Sequence, residues 1–338
     1  MALKQATEQV ILPTYRELEE RARELAVLLV ELHEAPEAAD LEVIRRAYLD
    51  VRGPLGETQA FGFGPATELH STAVLDQSPL DATRLEAELA GDADLTPSHL
   101  RSLGANKRGL HAIEYLLFPA DDAALTDALL EISSASARRR QYASSAGMLV
   151  AQGAEELLAA WEPDQGGYAR RFSEPGGPDS ISSSVQAGLD VLLNEAVFAS
   201  EVMANLKLGK PLGSETGGEV DPAAQESERS GASLADLLAN WRGVRNVYLG
   251  TRDGSQGTSL SSLVQTKSPS TDQRAREALD SAEAGLLGVP EPLTLALLDH
   301  PERVTVAYES IKTLKRVLAT EVLGTLGASL KFNDNDGD

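Results

Sequence analysis

The sequence predicts an all-α protein made of two four-helix bundles packed side by side. Three observations point there. Apolar residues recur at three- and four-residue spacing through most of the chain, which is the period of a helix face and not of a strand. Ala and Leu are abundant while aromatic residues make up only 4% of the 338 positions, and helices favour the first two whereas strands favour aromatic and β-branched residues. Connections rich in Pro, Gly and Ser then divide the chain into two runs of about four substantial helices each.

Taken in order, Tyr15, Leu18, Ala22, Leu25, Leu29 and Leu32 make one apolar stripe after Pro13. A second helix begins in "ADLEVIRRAYLDV", with Asp40 as its N-cap. The segment "RGPLGETQAFGFGPA", residues 52–66, interrupts the pattern with glycines and two prolines and reads as a structured loop. Further helices are expected over 81–89, 98–117, 124–133 and 135–161, with Pro119 stopping the second of these. The cluster "FSEPGGPDSISS" marks a boundary between an N-terminal bundle, 1–172, and a C-terminal bundle, 173–338. The second half is expected to carry helices over 184–206, 233–249, 272–287, 292–298 and 301–323. Glycine-rich connectors, "GKPLGSETGGEVDP" and "GTRDGSQGTS", separate them. The tail "NDNDGD" lacks the spacing and closing glutamate of an EF-hand loop, so it reads as a solvated end.

Composition narrows the function. Fifty-two acids against 30 bases give a formal charge of −22, a surface that repels phosphate backbones and anionic headgroups. Nucleic acid is therefore not an expected partner. No apolar run approaches the ~20 residues of a membrane span. The chain has no cysteine, which removes disulfides, thiolate metal sites and cysteine nucleophiles. Its first residues, "MALKQATEQV", have no signal-peptide core, so the expectation is a cytoplasmic chain or a mature exported one shown without its signal. No nucleophile elbow, Walker loop or dinucleotide fingerprint occurs in a suitable context.

The chemistry lies in "GLHAIEYLLF". His111 and Glu114 are three residues apart, so on a helix both side chains can converge on one point. An imidazole with a carboxylate suits Fe, Mn or Zn, and helical di-metal proteins use this pairing. The same spacing also serves a structural hydrogen bond, and the pair alone does not choose between the two.

The surroundings do. "NKRGLHAIEYLLFP" resembles the G-x-H-x-x-E signature of the imelysin family, carried here by Gly109, His111 and Glu114. "VRGPLGETQAFGFGPA" is similar to that family's F-x-F-G-P segment at Phe61, Phe63, Gly64 and Pro65. "LDQSPLDATRLEAELAG" is similar to its W-P-x-D segment at Pro79 and Asp81. Arg140, Tyr142 and Trp161 match further on, and "ERSGASLADLLANW" resembles an R-S-x-x-S-L segment at Arg229, Ser230, Ser233 and Leu234. The resemblance spans nearly the whole chain. It departs at Gln59, where the family has a glutamate, and at Ser78, where tryptophan is usual.

What the resemblance implies is a two-bundle helical protein of the periplasm or cell envelope, with a site between the bundles and a setting in iron uptake. It would bind a divalent or ferric metal ion, Fe or Zn, or a small metal-bearing ligand, and act beside other envelope iron-uptake proteins. His111 and Glu114 would be ligands, with Asp81, Glu57 or Gln59 as further ones. Arg140, Arg229, Ser230 and Ser233 would bind or orient an anionic part of the ligand. Two alternatives stand beside this: a metallopeptidase, in which a metal-bound water attacks a peptide carbonyl, and a partner-binding module with a relic site. H-x-x-E is shorter than the zinc-peptidase H-E-x-x-H and supplies no second histidine on the helix, so peptidase activity is expected to be absent or very weak.

Overall fold

The structure is a computed structural model. It describes residues 1–119, 128–177, 179–214, 216–254 and 257–330. Those residues form helices and turns, with no strand among them. The all-α expectation holds.

The first long helix, α1 (Leu12–Glu34), follows a short helical lead and a π-helical turn at Thr7–Ile11. Its stripe from Tyr15 to Leu32 is buried, as the period requires. Next comes α2 (Leu41–Thr58), and Asp40 caps it, its Oδ1 accepting from the Glu42 and Val43 amides at 3.0 and 3.3 Å. Such a cap contributes about 1 kcal/mol.

Residues 52–58 are not loop. The helix continues through Pro54 to Thr58, correcting the expectation of a break at Arg52. The reason is tertiary packing. A Cβ on Gly56 would lie 2.7 Å from that of Ala239, and one on Gly243 would lie 2.3 Å from the Glu57 carbonyl oxygen. Here α2 presses directly on α8 (Ser233–Leu249), and the Asn240 amide donates to the Gly56 carbonyl at 2.9 Å. Burial against α8 outweighs the weak helix propensity of Gly and Pro. Only after Thr58 does the chain leave the helix, through a 3-10 turn at Gln59–Phe61.

The helix expected over 98–117 is also corrected. It is broken into Pro97–Ser102, a turn at Ala105–Lys107, and α5 (Leu110–Leu117), the chain turning at Gly104 and Gly109. Before it lie α3 (Ser71–Leu75) and α4 (Ala82–Ala90). After it comes α6 (Ser134–Trp161), packed along α1. Of the helix expected over 124–133, residues 124–127 fall outside the described residues, as does the tail from 331; 128–130 are helical and 131–133 bend away.

In the second half, α7 (Val185–Glu201) continues as a π-helical stretch, Val202–Gly209. Helix α8 begins and ends where the sequence predicts. Its neighbours are α7 and α9 (Pro269–Leu287), and α10 (Pro301–Arg316) packs on both α7 and α9. A helix at Leu260–Lys267 was not anticipated; Ser259 and Ser262 start it with a reciprocal capping box. The buried apolar residues of both halves join in one continuous cluster.

Across the α2–α8 contact, Arg52 donates from Nε and Nη2 to the Asp236 carboxylate at 2.8 and 2.7 Å, with both side chains buried. Removing one partner leaves a desolvated charge without compensation. Arg52→Ala should therefore lower the unfolding free energy by about 3–5 kcal/mol. Arg16→Ala, which breaks the exposed pair with Glu162, should cost about 1 kcal/mol or less. Denaturant melts compare the two; equal small losses would refute the assignment.

Candidate metal centre

Helix α5 starts at Gly109, whose φ of 77° is open mainly to glycine. A Cβ there would lie 2.7 Å from the Leu75 carbonyl oxygen and 3.3 Å from the Asp76 amide. The missing side chain lets the end of α3 close onto the start of α5, which sets Asp76 beside His111. One turn along α5, Glu114 shares the face of His111, as the spacing predicts. Leu110, Ile113 and Leu117 are buried in the core.

The geometry around the buried His111 is specific. Its Nδ1 lies 3.6 Å from Asp76 Oδ1 and 3.5 Å from Glu114 Oε2, while Nε2 lies 3.9 Å from Glu226 Oε1. None of these separations is a hydrogen bond. Both His111 nitrogens and Asp76 Oδ1 are buried with no hydrogen-bond partner among the described residues. Buried polar atoms are nearly always paired, so an imidazole with neither nitrogen partnered, beside an unpartnered carboxylate oxygen, is the environment of a ligand-binding position. One ligand atom each from Asp76, His111 and Glu226 falls within 4.8 Å of the others. Zinc-type bonds of about 2.0–2.2 Å would draw these atoms closer by an ångström or so.

The surrounding groups fix the orientation of this trio. Glu114 Oε1 accepts from the Ser230 amide at 3.0 Å and from its hydroxyl at 2.6 Å. Arg52 reaches Asp76 Oδ2 at 3.4 Å and also donates to the Tyr48 hydroxyl at 3.1 Å. Ser227 donates to Asp236 at 2.6 Å. Lys207, from the π-helical stretch, is 2.7 Å from Glu226 Oε2.

These contacts shift the titrations in consistent directions. Burial opposes the charge on Glu226, yet Lys207 and Arg52 overcome it and bring its pKa down to about 2. Burial likewise opposes ionisation of Glu114, but the adjacent His111 imidazole and two hydrogen bonds from Ser230 hold it below its usual range. For His111 burial disfavours the cation, and the carboxylates of Asp76 and Glu114 reverse this, so its pKa is raised. The pocket is built for positive charge.

A cleft of about 210 Å³ leads to Asp76 and Glu226, with Tyr15, Gln59, Gln77 and Ser78 on its walls. Both departures from the family segments, Gln59 and Ser78, therefore line it. The Phe61–Pro65 turn beside it is anchored by aromatic packing, with Phe61 edge-on to Tyr15 at 5.4 Å and Phe63 against Trp161 and Phe172. Gly64, at φ 59°, leaves no room for a Cβ, which would lie 2.2 Å from the Tyr168 ring.

Other residues singled out in the sequence lie elsewhere. Asp81 caps α4, accepting from the Arg84 amide at 3.0 Å, with Arg84 Nε 3.4 Å away. Glu57 is buried with Arg252 and Arg242 at 3.4 and 3.6 Å, and burial raises its pKa against their pull. Arg140 donates to the Leu129 and Glu131 carbonyls, Ser233 to Gln225 at 2.8 Å, and the exposed Arg229 lies over the Tyr115 ring at 4.6 Å. Of the sequence-predicted set, the structure brings together His111, Glu114 and Ser230, with Gln59 in the adjoining cleft. Sequence reasoning missed Asp76, Glu226, Lys207, Arg52 and Asp236. Three of them stood within the quoted segments, Asp76 in "LDQSPLD", Arg52 in "VRGPLG" and Asp236 in "SLADLL".

Fold and site thus define an all-helical protein whose buried histidine gathers carboxylates from separate helices and connections. Residues 11–320 match the Imelysin (peptidase M75) family, and the chain belongs to that family. Iron-regulated protein A of Synechococcus elongatus is 28% identical over 321 residues, 94% of this chain and 83% of that protein. Among solved structures, an iron-regulated protein A precursor from Parabacteroides distasonis superposes with a TM-score of 0.82 at 22% identity, covering 96% of this chain and 92% of that one. An imelysin-like protein from Psychrobacter arcticum superposes at 0.75 and 19% identity, covering 98% of both. At these identities the two structures show the shared fold.

Two outcomes follow from the geometry. Gly109→Ala forces a side chain into left-handed backbone and against Leu75, and should destabilise the protein by about 1–3 kcal/mol; an unchanged melting temperature would contradict the packing described. Glu195, near Gly62 on the half-buried face of α7, has its pKa raised to about 7 by burial. Tyr15 is the titratable group it faces. An unfolded carboxyl ionises near its usual 4.5, so stability should fall as pH rises from there to about 7. Glu195→Gln removes that loss, adding about 1–3 kcal/mol at pH 8 and little at pH 4. A pH-independent effect in thermal melts would rule this out.

Proposed function

We propose that this protein binds a metal ion, iron in its natural setting, through Asp76, His111 and Glu226. The observation that carries the reading is the convergence of ligand atoms from Asp76, His111 and Glu226, with Asp76 Oδ1 and both His111 nitrogens buried and partnerless, beside a third carboxylate already committed elsewhere. A neutral imidazole with carboxylate oxygens is a donor set suited to Fe, Mn or Zn. Glu114 then acts as the orienting group, fixed by Ser230 and facing His111 Nδ1, an arrangement that leaves Nε2 toward Glu226. We place the protein in the bacterial envelope, with the N- and C-terminal halves contributing jointly to the site and other iron-uptake proteins as its partners. The name of the Synechococcus relative supports an iron setting.

The same contacts argue against peptidase chemistry. A general base needs a carboxylate free to take a proton from a bound water. Glu114 instead spends one oxygen on two hydrogen bonds from Ser230 and turns the other to His111. Unfolded casein should remain intact with the metal-loaded protein; metal-dependent cleavage abolished by His111→Ala would overturn this.

Calorimetric titration with Zn²⁺ and, anaerobically, Fe²⁺ tests the binding itself. His111→Ala should weaken binding at least tenfold, about 1.4 kcal/mol, with little loss of fold. Gln59→Glu places a carboxylate on the cleft wall and should strengthen it. Asp81→Asn should leave affinity unchanged, because Asp81 serves the α4 cap. Unchanged affinity in both His111→Ala and Gln59→Glu would reject the metal site, whereas a lowered melting temperature alone would make the pair structural.

A further inference from the structure

Among the described residues, Lys207 is the one ammonium at the site. It lies on the π-helical stretch Val202–Gly209, is buried, and its nitrogen meets Glu226 Oε2 at 2.7 Å. The other oxygen of Glu226 faces His111 Nε2. The carboxylate is thus divided, one oxygen held by a fixed cation and one turned to the proposed metal position.

The charges around that position can be counted. Asp76, Glu114, Glu226 and Asp236 are the acids, and Arg52 and Lys207 are the fixed cations, all joined by the ion pairs and hydrogen bonds already described. With His111 neutral, as a metal ligand must be, the group carries a net charge of −2. A divalent ion brings it to zero. A trivalent ion leaves a buried positive charge without compensation, which low-dielectric surroundings penalise. The cleft walls add no cation to change the sum, their charged groups being Asp76 and Glu226 themselves.

We propose that Lys207 is a specificity-determining residue: by holding one oxygen of Glu226 it makes the site prefer divalent over trivalent cations. This rests on the metal-binding reading above and goes beyond it by naming the charge class of the ion. Without Lys207 the group carries −3 and Glu226 frees its second oxygen, and both changes favour a trivalent ion.

The test titrates the whole protein with Zn²⁺ and with Ga³⁺, a redox-inert trivalent ion delivered from citrate, and reads the ratio of affinities after correction for the chelator. Wild type should bind Zn²⁺ at least tenfold more tightly than Ga³⁺. Lys207→Met should shift that ratio at least tenfold toward Ga³⁺, and Lys207→Arg, which keeps the charge, should retain the wild-type ratio. If Lys207→Met fails to fold, Lys207→Gln, which removes the charge while still reaching Glu226, should shift the ratio in the same direction by a smaller factor. An unchanged ratio in the neutral variant overturns the role of Lys207 and leaves metal binding standing. Wild type that prefers Ga³⁺ also overturns it, and wild type that binds neither ion overturns both readings.

Discussion

The Arg52 guanidinium is the interaction on which the rest depends. It is buried where α2 crosses α8, held by two bonds to Asp236 and facing Asp76. A charge in that position must be compensated on every side, and the compensation comes from residues 184 positions apart in the chain. The close approach through Gly56 and Gly243 makes it geometrically feasible. Disturbing the crossing would move Asp76 relative to His111, and the fold and the candidate site would fail together.

From that pair the electrostatics spread outward through a chain of linked groups. Asp236 is answered by Arg52, Arg52 in part by Asp76, and Asp76 lies against His111, which faces Glu226, itself held by Lys207. Hydroxyl donors from Ser227 and Ser230 fill the remaining acceptor positions on Asp236 and Glu114. Within this network the atoms left without a partner are Asp76 Oδ1 and the two His111 nitrogens, beside the proposed ion position. A network otherwise complete, with its vacant valences at one point, is what a binding centre requires and a purely structural network avoids. Aromatic packing of Phe61 and Phe63 and the bare backbone of Gly109 hold the walls in place by van der Waals contact.

Much of this was legible in the sequence, and the limits follow physical lines. The α1 stripe, the Asp40 cap and the ends of α8 are local features, written in period and capping chemistry, and the structure has them as read. His111 and Glu114 were legible for the same reason, since three residues on one helix fix their relation. The continuation of α2 through Gly53 and Pro54 was not, because only the surface of α8 overrides their local preference. Asp76, Glu226 and Lys207 were hidden in another way. Each comes from a separate segment, and nothing in an isolated acid or lysine announces which histidine it will face. The family segments drew attention to Asp81 when the residue turned inward was Asp76, five positions earlier.

The central claim is that Asp76, His111 and Glu226 share one cation. Anomalous X-ray diffraction from crystals grown with Zn²⁺, recorded on both sides of the zinc absorption edge, addresses it without reference to any activity. One strong anomalous peak is expected within coordination distance of His111 Nε2 or Nδ1 and of carboxylate oxygens from Asp76 and Glu226. Density at surface carboxylates alone, with His111 still unpartnered, would contradict it.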